Sequence, residues 1–233
     1  MRSGHVVPCF SMSQAPYYIV PECHEPLVEL YVDEDLILVN KPAFLLSVPG
    51  RGPENRDSAQ FRLEQKYGEV HVVHRLDLDT SGIMLFARNS QAQRRMNRAF
   101  AERRVEKAYM AELYGELCPE EGVITFPIAP DWERRPRQKI CYDTGKASIT
   151  QYEVLDYQPA RHVSRVKLEP ITGRSHQLRL HTQHIGHPIL GCDLYAPPEV
   201  LAMSPRLQLH AYYLGFNHPS TGLWRDFYAP LAF

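Results

Sequence analysis

Residues 74–82 read His-Arg-Leu-Asp-Leu-Asp-Thr-Ser-Gly, so an imidazole, a guanidinium, two carboxylates and two hydroxyls share one short stretch. Such groups act best from a loop held by rigid elements. Either carboxylate, Asp77 or Asp79, has the chemistry of a nucleophile or a general base. The same residue types also build an ordinary turn, because Asp, Ser and Thr side chains bond to nearby backbone and Gly accepts a left-handed conformation. Composition alone favours the turn and does not choose between Asp77 and Asp79.

The elements that must hold this stretch are a strand over residues 70–73 leading in and a buried strand over 83–87 leading out. Upstream, Val28, Leu30 and Val32 alternate, Asp33-Glu34-Asp35 turn, and Leu36-Ile37-Leu38-Val39 follow, which predicts a hairpin. Residues 47–57 are a Pro- and Gly-rich loop, after which Ser58 caps a short helix that ends at Gly68. Ser90 is the expected cap of a second helix, with Ala92, Met96, Ala99 and Phe100 on one face. Strand character recurs over 108–115, 122–127, 139–142, 148–157 and 163–168. A third helix is expected from Gly173-Arg174-Ser175 to Gly186, followed by strands over 207–216 and 223–228. Runs of strands with few helices predict an α+β fold rather than βαβ units. Residues 1–25 read as an irregular lead-in, with Met12 a conceivable alternative start, and 26–233 as a single domain.

A formal net charge of −1 rules out a globally basic surface, so any nucleic-acid site must be a local patch. Two local groups exist. One is Arg94, Arg95, Arg98, Arg103, Arg104 and Lys107, which reads equally well as a solvated helix face. The other is Arg134, Arg135, Arg137 and Lys139 beside Trp132, where phosphate contacts and base stacking could combine. Five scattered cysteines without a C-x-x-C pair suggest neither disulfides nor a zinc ribbon, and fit a reducing cytoplasmic setting. No apolar run reaches membrane length, and no export signal is expected. His181, His184 and His187, with His176 nearby, raise the alternative of a metalloenzyme, but Gly186 and Pro188 break the helix before His187 and H-E-x-x-H is absent. G-x-S-x-G and the phosphate-binding P-loop are also absent.

His74-Arg75-Leu76-Asp77 followed by Thr80-Ser81-Gly82 resembles the H-R-L-D-x-x-T-S-G signature of the RluA-type pseudouridine synthases. Other family segments recur in order: Asn40-Lys41-Pro42, Lys107-Ala108-Tyr109, Gly173-Arg174-Ser175-His176-Gln177-Leu178-Arg179-Leu180-His181, and His187-Pro188-Ile189. Gly191, Asp193 and Tyr195 echo the last segment, with Cys192 as a departure from it. The resemblance runs from about residue 27 to the end and is to the short members, since nothing before Pro26 could form an S4 domain.

It implies a pseudouridine-synthase fold, a mixed and mainly antiparallel sheet in two halves that meet at a cleft. It also implies isomerisation of uridine in structured RNA, in a tRNA anticodon loop (uridine-32) and a 23S rRNA hairpin (uridine-746). No cofactor, metal or membrane is implied, and a monomer is expected. The resemblance selects Asp77 as the essential carboxylate, either a nucleophile or the base that removes the ribose 2′ proton, and demotes Asp79. It makes Arg174 the cation paired with Asp77, where an exposed cation at a helix start would otherwise be slightly unfavourable. It makes Tyr109, by itself an unremarkable strand tyrosine, the residue stacked on the uracil. Arg75 has the reach and planarity to replace a base flipped from its stack. His74, Thr80, Trp132, Arg134, Arg135, Arg137 and Lys139 are the further candidate RNA-facing residues. A non-catalytic RNA-binding protein is the remaining alternative, disfavoured because Asp77, Tyr109 and Arg174 are all present.

Overall fold

The computed structural model describes residues 18–231 and Phe233; the first part of the expected lead-in, Met12 included, lies outside them. From Tyr18 the lead-in has neither helix nor strand, yet it is fastened to the domain. The Asn55 side chain accepts from the Val20 N–H and donates to the Tyr18 carbonyl, and Arg62 donates to the carbonyls of Cys23 and Glu25.

β1 (Val28–Val32) and β2 (Leu36–Lys41) form the predicted hairpin, closed by Asp33, whose side chain accepts the N–H groups of Asp35 and Leu36. α1 (Ala59–Tyr67) starts on the Ser58 hydroxyl, which accepts the Phe61 N–H, and stops at Gly68 as expected. β3 (His71–Val72) and β4 (Ser81–Ala87) flank the motif loop. α2 (Ser90–Ala101) is capped by Asn89 and not by Ser90, because it is the Asn89 side-chain oxygen that accepts the Ala92 N–H at 2.8 Å. There follow β5 (Glu106–Tyr114), β6 (Glu121–Ile124), β7 (Ile128–Pro130), β8 (Gln138–Ile140), β9 (Thr150–Gln158) and β10 (Val163–Pro170). α3 (Gln177–His184) and α4 (Pro198–Leu201) precede β11 (Leu209–Asn217) and β12 (Trp224–Tyr228). α3 begins later than its sequence suggests: His176 takes a left-handed φ of 54°, which keeps residues 173–176 in a loop.

One sheet runs in the order β1-β2-β4-β11-β5-β10-β9-β6, with β3 added to β4 and β12 to β11, while β7 and β8 make a separate ribbon. Every pairing is antiparallel except β4 with β11, which joins Ser81 and Gly82 to His210 and Ala211. The α+β class and the mainly antiparallel sheet are therefore as expected.

β2 and β4 are covered on both faces. Leu36, Leu38, Ile83 and Leu85 pack against Met96 and Ala99 of α2, whereas Ile37, Val39, Met84 and Phe86 pack against Leu63 of α1. This explains why their sequences are unbroken apolar runs without alternation. Each side chain so buried contributes roughly 1.5–3 kcal/mol. A third cluster joins Ala111, Leu113, Val166 and Leu168 to Leu178 of α3 and to Ile189.

Candidate active site

The motif loop is clamped on both sides of Asp77. The Ser47 hydroxyl donates to the Leu76 carbonyl at 2.6 Å and accepts the Leu76 N–H at 3.1 Å. On the other side, the Leu78 carbonyl accepts from the Phe44 N–H at 2.9 Å and from Lys41 Nζ at 3.2 Å. Lys41 also donates to the carbonyls of Pro42 and Leu45, and burial pushes its pKa down to about 7 against the opposing pull of Asp79 and Asp77. The motif must end in glycine: Gly82 has φ 113°, and a Cβ there would lie 2.2 Å from the Ala211 carbonyl oxygen of β11.

Asp77 opens into a cleft of about 370 Å³ that is lined also by Arg75, Thr80, Tyr109, Arg174, His176 and Arg179, among others. The cation beside it is Arg179, not Arg174. Arg179 Nη1 lies 3.8 Å from an Asp77 oxygen and 3.7 Å from an Asp79 oxygen. Its Nη2 holds Asp193 at 2.5 Å, and its Nε meets the Cys192 sulfur. Arg174 lines the same cleft but is exposed, with its Nε turned to the Ala147 carbonyl. The physical reason is the left-handed residue at 176, which leaves Arg174 on the loop, while α3 carries Arg179 inward. A signal for this was present: Arg179 sits between Leu178 and Leu180 in a helix whose residues 177–182 are all buried, where a cation requires a partner.

At 3.8 Å the Asp77–Arg179 pair attracts without forming a hydrogen bond, so the carboxylate oxygens stay free for a ligand. His176 Nε2 is 3.9 Å from the same oxygen, and its Nδ1 meets the Tyr195 hydroxyl at 2.7 Å. Burial pushes the His176 pKa down despite Asp77, which keeps the ring neutral. Asp79 faces the Arg179 guanidinium less openly, and burial raises its pKa, with Asp193 adding to the rise.

Tyr109 stands in the middle of β5, paired to Leu168 and Ala211 on its two sides, and presents its ring to the cleft. Burial, and then Asp77, raise its phenol pKa, so the hydroxyl remains protonated and offers a ring face and a hydrogen-bond donor, not a phenolate. His74 also lines the cleft, but its Nε2 already accepts the Leu85 N–H and its ring stacks on Phe100 at 4.9 Å. Burial pushes its pKa down to about 3. Thr80 is buried, and Arg75 is exposed at the cleft mouth.

The second basic group lies on the β7–β8 ribbon and does not line the cleft. Trp132 is 68% exposed, with the Arg135 guanidinium 4.3 Å from its ring centroid. Arg134 pairs with Asp131, and Lys139 is exposed. Arg137 is half-buried on the same ribbon. The ribbon is nevertheless wired to the site, because the Gln138 N–H donates to the Tyr195 hydroxyl that meets His176. His181, considered above as a metal ligand, has both ring nitrogens engaged, with Thr150 and with the Phe126 carbonyl. Among the described residues no group of three or more His, Cys, Asp or Glu is placed to hold a metal.

Residues 35–184 match the family model described as RNA pseudouridylate synthase. Similar proteins include the dual-specificity RNA pseudouridine synthase RluA of Pasteurella multocida (strain Pm70), 50% identical over 90% of this chain and 95% of that protein. The RluA of Escherichia coli (strain K12) is 49% identical over 89% of this chain and 94% of its own length. Among solved structures, human RNA pseudouridylate synthase domain containing 1 superposes with a TM-score of 0.76 at 32% identity, covering 90% of this chain and 85% of that one. Sequence and fold thus agree with the geometry of a carboxylate, a tyrosine and a buried arginine around one cleft, and the chain belongs to the RNA pseudouridylate synthase family.

Proposed function

We propose that this RNA pseudouridine synthase acts on a uridine flipped out of a stem-loop, in both a tRNA anticodon loop and a 23S rRNA hairpin, as a cytoplasmic monomer. The observation that carries the reading is the Asp77 carboxylate, unbonded and open to the cleft, 3.8 Å from the buried Arg179 guanidinium. The dual-specificity names of the similar RluA proteins support the two classes of substrate.

In the reaction the bond from uracil N1 to the ribose breaks and a bond from C5 forms; the C5 proton leaves and N1 gains one. Nothing is oxidised or reduced. Asp77 acts first, on the sugar or the ring as a nucleophile or on the 2′ proton as a base, and the Arg179 guanidinium 3.8 Å away holds it in place within the cleft. Tyr109 supports the displaced uracil, and Arg75 fills the vacated place in the stack. The ribbon carrying Trp132, Arg134, Arg135, Arg137 and Lys139 holds the stem-loop through phosphates and stacking.

The test uses unmodified tRNA and 23S rRNA transcripts treated with the purified chain, with pseudouridine mapped by carbodiimide primer extension. Stops in one anticodon loop and one rRNA hairpin are expected with wild type. Asp77→Asn is expected to bind both RNAs and leave no stops. Stops in only one RNA class would overturn the dual reading, and wild-type stops from Asp77→Asn would overturn the site.

A further inference from the structure

Four cationic side chains line the cleft, Arg75, Lys107, Arg174 and Arg179, against the single carboxylate of Asp77. Arg179 is matched by acidic partners, and Arg75 and Arg174 reach solvent. Lys107 is different. It is half-buried on β5, two residues before Tyr109 and therefore on the same face of the strand, and among the described residues no carboxylate lies within ion-pair distance of it. Burial, and then the neighbouring Arg103 guanidinium, both push its ammonium toward the neutral form, and no acidic group pulls the other way.

The surroundings keep this cation open. Of the acidic side chains nearby in sequence, Glu102 is occupied by Arg98 and Arg104, and Glu106, on the opposite face of β5, accepts from the Tyr213 hydroxyl. Across the cleft, the nearest side-chain atom to a Cβ built on Gly173 would be Lys107 Nζ, 4.0 Å away, so the ammonium faces the glycine of the G-R-S-H segment. Arg103 is held at a left-handed φ of 58°, a position past a helix end where glycine is commonest, and is exposed outside the cleft lining, near enough for its charge to act on Lys107. Lys107 is thus a partly desolvated cation in the cleft wall, and an anion is the ligand that relieves both its burial and its repulsion by Arg103.

We propose that Lys107 forms a phosphate subsite that holds a phosphodiester flanking the flipped uridine. Residues two apart on a strand are separated by about 6.7 Å, roughly a ribose, so a base against Tyr109 brings its own backbone phosphate to Lys107. The arginines on the outer face of α2 are not part of this subsite, since Arg95 donates to the Pro219 carbonyl and Arg98 pairs with Glu102. The inference rests on the functional reading above.

The experiment uses a stem-loop RNA whose loop uridine wild type converts, made natively and with each flanking phosphodiester in turn replaced by a neutral methylphosphonate. On native RNA, Lys107→Met is expected to lower kcat/KM about 10- to 100-fold, mainly through KM, and Lys107→Arg to restore most of it. The slope of log affinity against log salt should fall by about 0.7–0.9. One methylphosphonate should cost wild type a similar factor yet cost Lys107→Met less than about twofold, the non-additivity that marks a direct contact. Additive losses at both phosphates, or a Lys107→Met enzyme with wild-type kcat/KM, would overturn the subsite alone. A wild-type chain that converts no stem-loop would overturn the functional reading and this inference with it.

Discussion

One nitrogen of Arg179, Nη1, lies 3.8 Å from Asp77 and 3.7 Å from Asp79, while Nη2 of the same guanidinium holds Asp193. A single buried cation therefore balances three carboxylates, two of them two residues apart on the motif loop. Removing it leaves those charges to repel one another across a partly solvated cleft.

Arg179→Ala should consequently lose more than about a thousandfold in kcat and roughly 1–3 kcal/mol of stability, less than breaking a fully buried pair because the carboxylates left behind are partly solvated. Arg179→Lys should fold better but stay slow, because one ammonium cannot serve three carboxylates in a planar fork. Arg174→Ala, at an exposed position, should lose no more than about tenfold, mostly in KM. Steady-state kinetics on a converted stem-loop, with thermal melts, compare the three.

Ser47→Ala should slow turnover without touching any reacting atom. Its hydroxyl serves both the N–H and the carbonyl of Leu76, and removing it strands two backbone groups beside Asp77. A loss of about 1–3 kcal/mol in stability is expected, with a larger relative fall in kcat than in binding. Urea melts and single-turnover rates check it; unchanged rates in a folded variant would separate the clamp from catalysis.

A pH effect on stability is expected from His210, which is fully buried, meets the Ser81 hydroxyl at 2.8 Å, and has its pKa pushed down to about 4 by burial and then by Arg206. The folded pKa lies below the unfolded value of about 6.5, so the unfolded chain binds more protons between these values. Stability is fully present above pH 6.5 and is lost as the pH falls toward 4, by at most on the order of 3 kcal/mol from this group. His210→Gln should flatten the fall in Tm over that window.

On the β7–β8 ribbon, Lys139→Gln should weaken binding and reduce the salt slope by about 0.7–0.9 while leaving saturated turnover unchanged. Trp132→Ala should cost about 1–3 kcal/mol of binding if its ring carries a base. Filter binding over a salt series measures both.

The sequence was legible where local chemistry decides the structure. Ser58 and Gly68 bound α1 because capping is a short-range matter, and residues 36–39 and 83–87 announce strands covered on both faces. It misled at Asn89, where two capping residues stand side by side and only geometry selects one. It misled again at Arg174, because the spacing from loop to helix depends on the left-handed turn at His176. The resemblance brought the right segment to the site; which of its two arginines points inward is a question of helix phase.

β11 is the last but one strand in the chain, yet it lies between β4 and β5 and alone joins the strands behind Asp77 to those beneath Arg179. During synthesis the N-terminal strands can pair, and α3 can form, well before residues 209–217 leave the ribosome. The carboxylate and its cation meet in register only once that late strand is inserted. Activity toward RNA is thus expected only once the fold is nearly closed, so that it reports on completed folding.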